Sequence, residues 1–376
     1  MLKLFFGDPR CHSDAGNIQV QTVCEFYEPG NIVQGKIMLS LNRDVHANCV
    51  KLSLKGKEKA KFIEHVQRRE GDRIEIDHVR RQGCHYFLKL ENNDFPTGGV
   101  LHAGQHEFDF NFTLPEGIPA SFFFHEKHHD DRPYAVVKYT IKAEIEGTGI
   151  AYKQTLIVRE KPVPFVVGES NVSEKPIKVC CCLAKGTSKL GSTFEKNIFF
   201  PHEEIKGAIT VDNTHCTIDC KNVHFAVETQ LRFHIAALFG EHRHMIERDL
   251  IQENTKGPCA GVGDWSKEMC VDLRHIPMPE LTDKKSKKGG RKPLSPEDQF
   301  LVRGLQSACH GKYFSMDYYL VAETTYDGCT CCAELPHSRM PISILPIVNP
   351  DCFGFKAPEG WNPTHHGSFQ CVAHKL

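Results

Sequence analysis

The chain has 376 residues, of which 25% are charged and 40% hydrophobic, with a formal net charge of −1 at pH 7. This length fits two domains of ordinary size, and the balanced charge argues against a nucleic-acid-binding protein. The composition excludes collagen, coiled coil and wholesale disorder, and no apolar run reaches the roughly 18 residues that a membrane-spanning helix needs.

The dominant hydrophobic period along the chain is two. Apolar residues alternate with polar ones in segments 50–54, 135–146 and 223–234, which is the pattern of strands with one buried and one solvated face. Turn residues such as Pro29-Gly30 separate the segments. No amphipathic helix longer than two turns is evident, so the sequence predicts an all-β protein of the sandwich kind.

The two halves of the chain repeat the same signals. Pro29 and Gly35 are spaced like Pro201 and Gly207, and an alternating strand follows each pair. The common order of these signals predicts two tandem immunoglobulin-like β-sandwiches of one topology.

Composition sets the expected domain bounds. Pro, Gly, Ser and Asn concentrate between 164 and 176, so we place an amino-terminal domain at 1–168, a carboxy-terminal domain at 169–350 and a short tail at 351–376. Residues 282–296 hold six basic residues, two glycines and two prolines without an apolar period, which predicts a mobile loop inserted in the second sandwich.

Two basic clusters are candidate binding sites. In the strand predicted after Val50, alternate positions hold Lys55, Lys57, Lys59 and Lys61. An extended backbone puts these ammonium groups on one face, which suits phosphate on a receptor tail or a lipid headgroup, although a solvated strand face is the alternative. In the loop, Lys284, Lys285, Lys287 and Lys288 suit an anionic membrane surface, with a disordered linker as the alternative.

The composition also includes 17 cysteines and 22 histidines. The opening segment is broken by Asp8-Pro9 too early for a secretory signal, so we expect reduced thiols. If both segments are strands, two Cys-x-Cys pairs expose their thiols on one side and form a candidate structural zinc site: Cys180, Cys182, Cys329 and Cys331. Buried structural cysteines and redox thiols are the alternatives.

One segment matches the zinc-protease motif H-E-x-x-H. It starts at His125 and Glu126 and continues to His128 and His129, but the motif binds zinc only when a helix puts both histidines on one face. The preceding Phe122-Phe123-Phe124 and the following Pro133 favour a loop between strands. A zinc-dependent hydrolase is therefore retained only as the alternative to a non-enzymatic protein.

The ordered motifs resemble those of arrestins. Residues 101–115 (LHAGQHEFDFNFTLP), Pro119-Ala-Ser121-Phe122 and Tyr134 to Tyr139 are similar to the arrestin amino-terminal domain. In the second half, Phe199-Phe200-Pro201 and the closing Pro341-Ile342-Ser-Ile344 are similar to the arrestin carboxy-terminal domain, and the cysteine-rich segments are typical of the arrestin-domain-containing (alpha-arrestin) branch.

This resemblance implies an adaptor that works by binding. Its expected partners are cytoplasmic tails of membrane proteins and trafficking or ubiquitination machinery, in endocytosis and protein transport. Its expected location is cytoplasmic, with peripheral contact to an anionic membrane at the plasma membrane or endosomes, and no nucleic acid is expected. The sequence contains no Pro-Pro-x-Tyr motif for ubiquitin-ligase recruitment. A structural scaffold of the retromer-subunit type is the alternative among binding proteins.

Overall fold

The computed structural model describes residues 12–24, 26–70, 73–91, 94–126, 129–180, 182–237, 240–276, 305–330, 334–345 and 354–376. The basic segment 282–296, with Lys284, Lys285, Lys287 and Lys288, lies outside the described residues, as do His128 and Cys331.

Strands from both ends of the chain build the first sandwich. In chain order they are β1 (His12–Ser13), β2 (Gly16–Thr22), β3 (Phe26–Tyr27), β4 (Ile32–Leu41), β5 (Val45–Glu70), β6 (Arg73–Glu91), β7 (Asp94–Leu101), β8 (Gly104–Thr113), β9 (Phe122–His125), β10 (Tyr134–Ile145), β11 (Ala151–Val158), β22 (His365–Gln370) and β23 (Val372–Lys375). One sheet has the order β1-β2-β4-β8-β22. The other has the order β23-β6-β5-β10-β11-β3, with β7 pairing β5 and β9 pairing β10.

The second sandwich is built from the intervening strands. They are β12 (Val167–Val179), β13 (Leu183–Lys196), β14 (Ile198–Phe199), β15 (Glu204–Asp212), β16 (Cys220–Ala237), β17 (Gly240–Thr255), β18 (Trp265–Asp272), β19 (Cys309–His310), β20 (Phe314–Tyr326) and β21 (His337–Ile344). Its sheets have the orders β12-β13-β15-β18 and β14-β21-β20-β16-β17, with β19 pairing β20.

The two sandwiches share one topology. The order β2-β4-β8 recurs as β13-β15-β18, and β6-β5-β10-β11-β3 recurs as β17-β16-β20-β21-β14. In both domains the last pair of the larger sheet is parallel. The described residues contain no α-helix and one 3₁₀ turn at Leu273–His275. The prediction of two tandem β-sandwiches is confirmed.

The repeated glycines have a packing reason. A Cβ at Gly35 in β4 would lie 2.0 Å from the ring of Phe110, and one at Gly207 in β15 would lie 3.3 Å from the ring of Phe225. In each sandwich an aromatic ring of the core therefore packs directly on the glycine backbone. A side chain at Gly35 would displace the ring of Phe110, whereas one at Gly207 would require the ring of Phe225 to move by only a few tenths of an ångström.

The long strands β5 and β6 of the first domain extend to the second domain and pack against it. Phe62 of β5 is buried and its ring lies 5.6 Å from that of Phe233 in β16. Nearby, the ring of Phe122 lies 5.3 Å from that of Phe314 in β20. Buried aromatic rings from both domains thus form one continuous core across the interface.

The carboxy-terminal residues are ordered parts of the first sandwich. β22 pairs in parallel with β8, and β23 pairs antiparallel with β6. The ring of Phe369 is buried and lies 5.9 Å from that of Phe95. The tail therefore adds a strand to an edge of each sheet of the amino-terminal domain, and these two edges are occupied. Among the described residues, no helix is long and apolar enough to cross a membrane.

Candidate anion-binding face of the amino-terminal sandwich

The predicted lysine ladder lies on the outer face of β5. Gly56, Glu58, Ala60 and Phe62 are buried, and the residues between and beside them point the other way because side chains alternate along a strand. The structure therefore puts four ammonium groups on one solvent-facing surface: Lys55, Lys57, Lys59 and Lys61.

Neighbouring strands add lysines to the same surface. Lys57 stands directly opposite Lys138 of β10, and Lys55 stands opposite Lys89 of β6. Farther along the sheet, Lys142 of β10 faces Lys153 of β11. Residues directly opposite in a sheet share a face. We call the combined set the lysine face: Lys55, Lys57, Lys59, Lys61, Lys89, Lys138, Lys142 and Lys153.

Among the described residues, most of the positive charge on the β5 part of this face has no carboxylate partner. Lys142 forms an ion pair with Glu144. Within the described part of the chain, no carboxylate pairs with Lys55, Lys57, Lys59, Lys61 or Lys153. Two of the ammonium groups instead lie over aromatic rings, Lys57 at 5.2 Å from the ring centre of Tyr86 and Lys61 at 4.9 Å from that of Tyr134.

A cleft of about 260 Å³ opens at the end of the lysine ladder. Among the described residues, its lining contains one lysine, two arginines, one histidine and two apolar residues, and no carboxylate: Lys61, Phe62, Ile63, Arg80, His125 and Arg132. Arg80 of β6 reaches the cleft because it lies directly opposite Ile63 in the β5–β6 hairpin. Arg132 arrives from a turn that holds its backbone in the left-handed region, with φ of 44°, which costs a non-glycine residue roughly 1–2 kcal/mol.

The charges in the cleft repel one another. Burial lowers the pKa of Lys61, and the positive charges of Lys59 and Arg80 lower it further. An anion seated in the cleft would relieve this repulsion and restore the preference for the charged ammonium form. The arrangement is chemically suited to bind a carboxylate or phosphate group.

The equivalent face of the second sandwich shows the opposite arrangement. Arg339 of β21 forms ion pairs with Glu228 of β16 and, at 3.5 Å, with Glu247 of β17, and its guanidinium lies 3.9 Å from the ring centre of Tyr319. Nearby, Nε2 of His224 lies 3.2 Å from a carboxylate oxygen of Asp249. The guanidinium of Arg339 and the imidazole of His224 are thus each paired with carboxylates of the same face.

The described residues of the H-E-x-x-H segment, His125, Glu126 and His129, do not lie in the helix that a zinc hydrolase needs. His125 is the last residue of β9, and the carboxylate of Glu126 accepts two hydrogen bonds from Arg248 of the second domain at 2.8 and 2.9 Å. His129 lies beyond this contact, with Nδ1 3.3 Å from Asp131. The described residues include no group of three or more His, Cys, Asp or Glu side chains that could hold a metal ion.

The two cysteine clusters meet, but not as the sequence predicted. Cys180 and Cys182 do not lie on a strand: they belong to the turn between β12 and β13, where Cys180 has φ of 48°. The prediction of a shared strand face was wrong because the chain reverses there. The backbone N–H of Cys180 donates to the carbonyl oxygen of Cys329 at 2.9 Å, and all three thiols are exposed.

Several members of the site were missed from sequence. Lys138 and Lys142 fall on the polar positions of an alternating segment, so their face could have been read from the pattern. Arg80 and Arg132 give no such signal. The register of the β5–β6 hairpin and a left-handed turn bring them to the cleft.

Each of the two sandwiches matches a known protein family domain. Residues 16–160 match the family described as "Arrestin (or S-antigen), N-terminal domain", and residues 184–349 match "Arrestin (or S-antigen), C-terminal domain". The chain belongs to the arrestin family. Together the two matches cover most strands of both sandwiches, and they support an arrestin-like adaptor.

Individual relatives carry the same domains. The chain is 26% identical over 247 residues to arrestin domain-containing protein 5 of Homo sapiens, covering 62% of this chain and 67% of that protein. The bovine (Bos taurus) protein of that name is 28% identical over 221 residues, covering 55% and 61%. Arrestin domain-containing protein A of Dictyostelium discoideum is 25% identical over 210 residues, covering 52% of this chain and 34% of the relative.

Proposed function

We propose that this arrestin-family adaptor binds acidic cytoplasmic segments of membrane-protein cargo on its lysine face. The proposal is supported by four ammonium groups that have no carboxylate partner in the described part of the chain: Lys55, Lys57, Lys59 and Lys61. Alternate residues of a strand are about 6.6–6.8 Å apart, so the four ammonium groups match alternate side chains of an extended partner. The bound cargo is then brought to trafficking or ubiquitination factors during endocytosis and protein transport.

The test uses an extended peptide with glutamates at alternate positions, labelled for fluorescence anisotropy. We expect the double variant Lys57→Glu, Lys59→Glu to bind it at least about tenfold more weakly, since two attractive contacts become repulsive. The matched control is Lys178→Glu, Lys189→Glu on the second sandwich, which changes the net charge equally at exposed positions. We expect the control to bind within about twofold of the unmodified protein.

The same assay separates the alternatives. A peptide with its glutamates in one block should bind more weakly than the alternating one. If both double variants lose affinity equally, only net charge matters and the proposed face is wrong. If no acidic peptide binds at all, a scaffold of the retromer-subunit type becomes the better interpretation.

Contact with an anionic membrane is a separate part of the proposal. Lys284, Lys285, Lys287 and Lys288 belong to a segment with six basic residues, and each is worth on the order of 1 kcal/mol near an anionic leaflet. Replacing the four lysines by glutamine should weaken sedimentation with phosphatidylserine vesicles, and the difference should shrink as salt is raised. Unchanged sedimentation would contradict this part.

We also propose a structural zinc ion at the cysteine clusters, held by Cys180, Cys182, Cys329 and Cys331. The backbone hydrogen bond between Cys180 and Cys329 supports it, since it brings the two segments together. The thiols of Cys180, Cys182 and Cys329 do not form a metal-holding group as they stand, so the ion would draw them closer together. Thiolates are preferred zinc ligands, and such a site would stabilise the fold. Elemental analysis of protein purified without chelators should give about one zinc per chain, and the Cys180→Ser, Cys329→Ser variant should have none. A zinc content below about 0.2 per chain in the unmodified protein would contradict it.

A further inference from the structure

The imidazole of His310 lies between carboxylates of the two domains. This residue ends β19 in the second sandwich, and its Nδ1 is 2.5 Å from Glu160, which follows the last long strand of the first sandwich. Its Nε2 is 2.7 Å from Asp317 of β20. Both ring nitrogens are therefore within hydrogen-bond distance of a carboxylate oxygen.

This geometry fixes the charge of the ring. An ionised carboxylate can only accept hydrogen bonds, and a neutral imidazole has one donor nitrogen and one acceptor nitrogen. Only the imidazolium form donates from both nitrogens. The hydrogen bonds that the ring donates to Asp317 and then to Glu160 are the main causes that raise the pKa of His310 to about 10, against the opposing effect of burial.

The charged groups around this ring come from several strands. Arg232 of β16 lies 3.6 Å from Asp317, and His234 of the same strand has Nε2 3.4 Å from the carbonyl oxygen of Gly311. From the first domain, the carboxylate of Glu58 in β5 faces the next residues of the turn, with His85 of β6 3.6 Å from it. Lys312 extends its own side chain over Tyr313, 5.6 Å from the ring centre.

The turn after His310 makes a second contact between the domains. The backbone N–H groups of Lys312 and Tyr313 donate to the fully buried carboxylate of Glu58, at 2.9 and 2.7 Å. A Cβ at Gly311 would lie 2.4 Å from that carboxylate, so the turn approaches β5 closely. His310 anchors the start of this turn, and losing its bridge to Glu160 would loosen the Glu58 contact as well.

We propose that the contact between the two domains at this turn is proton-linked, with protonated His310 joining Glu160 of the first domain to Asp317 of the second. Loss of the proton leaves one ring nitrogen without a hydrogen to donate and releases one carboxylate. The bridge is complete below the pH at which a free histidine titrates, about 6.5, and weakens steadily as pH rises towards the value for the bridged ring. The turn therefore opens more often at pH 8 than at pH 7. This inference does not depend on the lysine face.

Hydrogen–deuterium exchange of the full chain from pH 6.5 to 8.5 tests this, after correction for the intrinsic pH dependence of exchange. The readout is the peptide that contains Lys312 and Tyr313. We expect its opening equilibrium to rise by about three- to tenfold per pH unit in the unmodified protein, the upper limit being release of one proton per opening. In His310→Gln we expect faster exchange at every pH and no such slope, and in the control His234→Gln the slope should remain.

Direct titration keeps the proposal testable if His310→Gln folds poorly. The histidine ring signals of the unmodified protein should show one ring still protonated at pH 8, and Glu160→Gln should shift its titration downward by at least about one pH unit while the chain stays folded. A flat exchange profile in the unmodified protein, an unchanged slope in His310→Gln, or titration of His310 near pH 6.5 would overturn the proposal.

Discussion

The two sandwiches share a topology, but the charges on the outer face of their larger sheets are arranged differently. In the second domain, Arg339 is held by Glu228 and Glu247 and packs on Tyr319. In the first domain, the β5 lysines face other lysines and aromatic rings. Charges that a protein pairs internally contribute to its own structure, whereas a row of like charges on an ordered sheet remains available for a ligand. This difference is the reason for proposing the first domain, rather than the second, as the one that binds an anionic partner.

The largest expected effect that separates the two faces is on stability. Arg339→Ala leaves Glu228 and Glu247 facing each other without a cation, and we expect it to lower the free energy of unfolding by about 1–2 kcal/mol. Lys57→Ala removes a charge with no acidic partner among the described residues, so its effect should stay within about 0.5 kcal/mol. Urea denaturation of both variants measures this. Equal losses would show that the two faces do not differ as described.

A smaller effect is expected from introducing a partner for the lysine ladder. Thr140 of β10 stands opposite Lys55, so Thr140→Glu creates a cross-strand ion pair that should stabilise the domain by about 0.2–1 kcal/mol. The same change should weaken binding of the acidic peptide several-fold, because it neutralises one ammonium group. Thr140→Gln is the neutral control. Binding that is unaffected by Thr140→Glu would exclude Lys55 from the site.

The smallest effect concerns the pH dependence of binding. The pKa of Lys61 is lowered by burial and by the charges of Lys59 and Arg80, so Lys61 loses its proton at a lower pH than an ordinary lysine. Affinity for the acidic peptide should therefore begin to fall at a lower pH on the alkaline side than it would with an ordinary lysine at this position. Lys61→Arg keeps its charge throughout and should abolish the early fall. An identical pH profile for both proteins would contradict the role of Lys61 in the cleft.

Over the same alkaline pH range, the free energy of unfolding should change in the opposite direction to the binding affinity. An ammonium group with a lowered pKa binds fewer protons in the folded state than in the unfolded state, so the folded state gains relative stability as pH rises. The Lys61→Arg variant should lack this gain in stability. Thermal denaturation of both proteins at pH 8 and pH 10 tests this independently of the binding experiment.

The two cysteine segments illustrate where reasoning from pattern failed. Cys180 and Cys182 have the spacing of residues on one side of a strand, but Cys180 adopts a left-handed backbone in a turn. A period of two carries information only where the chain is extended. The repeated Pro and Gly spacing was a more reliable guide, since Gly35 and Gly207 each make room for an aromatic ring of their own core.

The all-β class, the division into two like sandwiches and the common face of the β5 lysines could be predicted from the sequence, because strand periodicity is a local property of the chain. The meeting of Arg80, Arg132 and Lys61 in one cleft follows from the three-dimensional structure, which sets those distances through the hairpin register and a turn conformation. The same structure also decides the place of the tail strands and the position of His310 between Glu160 and Asp317. Those contacts join residues far apart in the chain, and no local pattern records them.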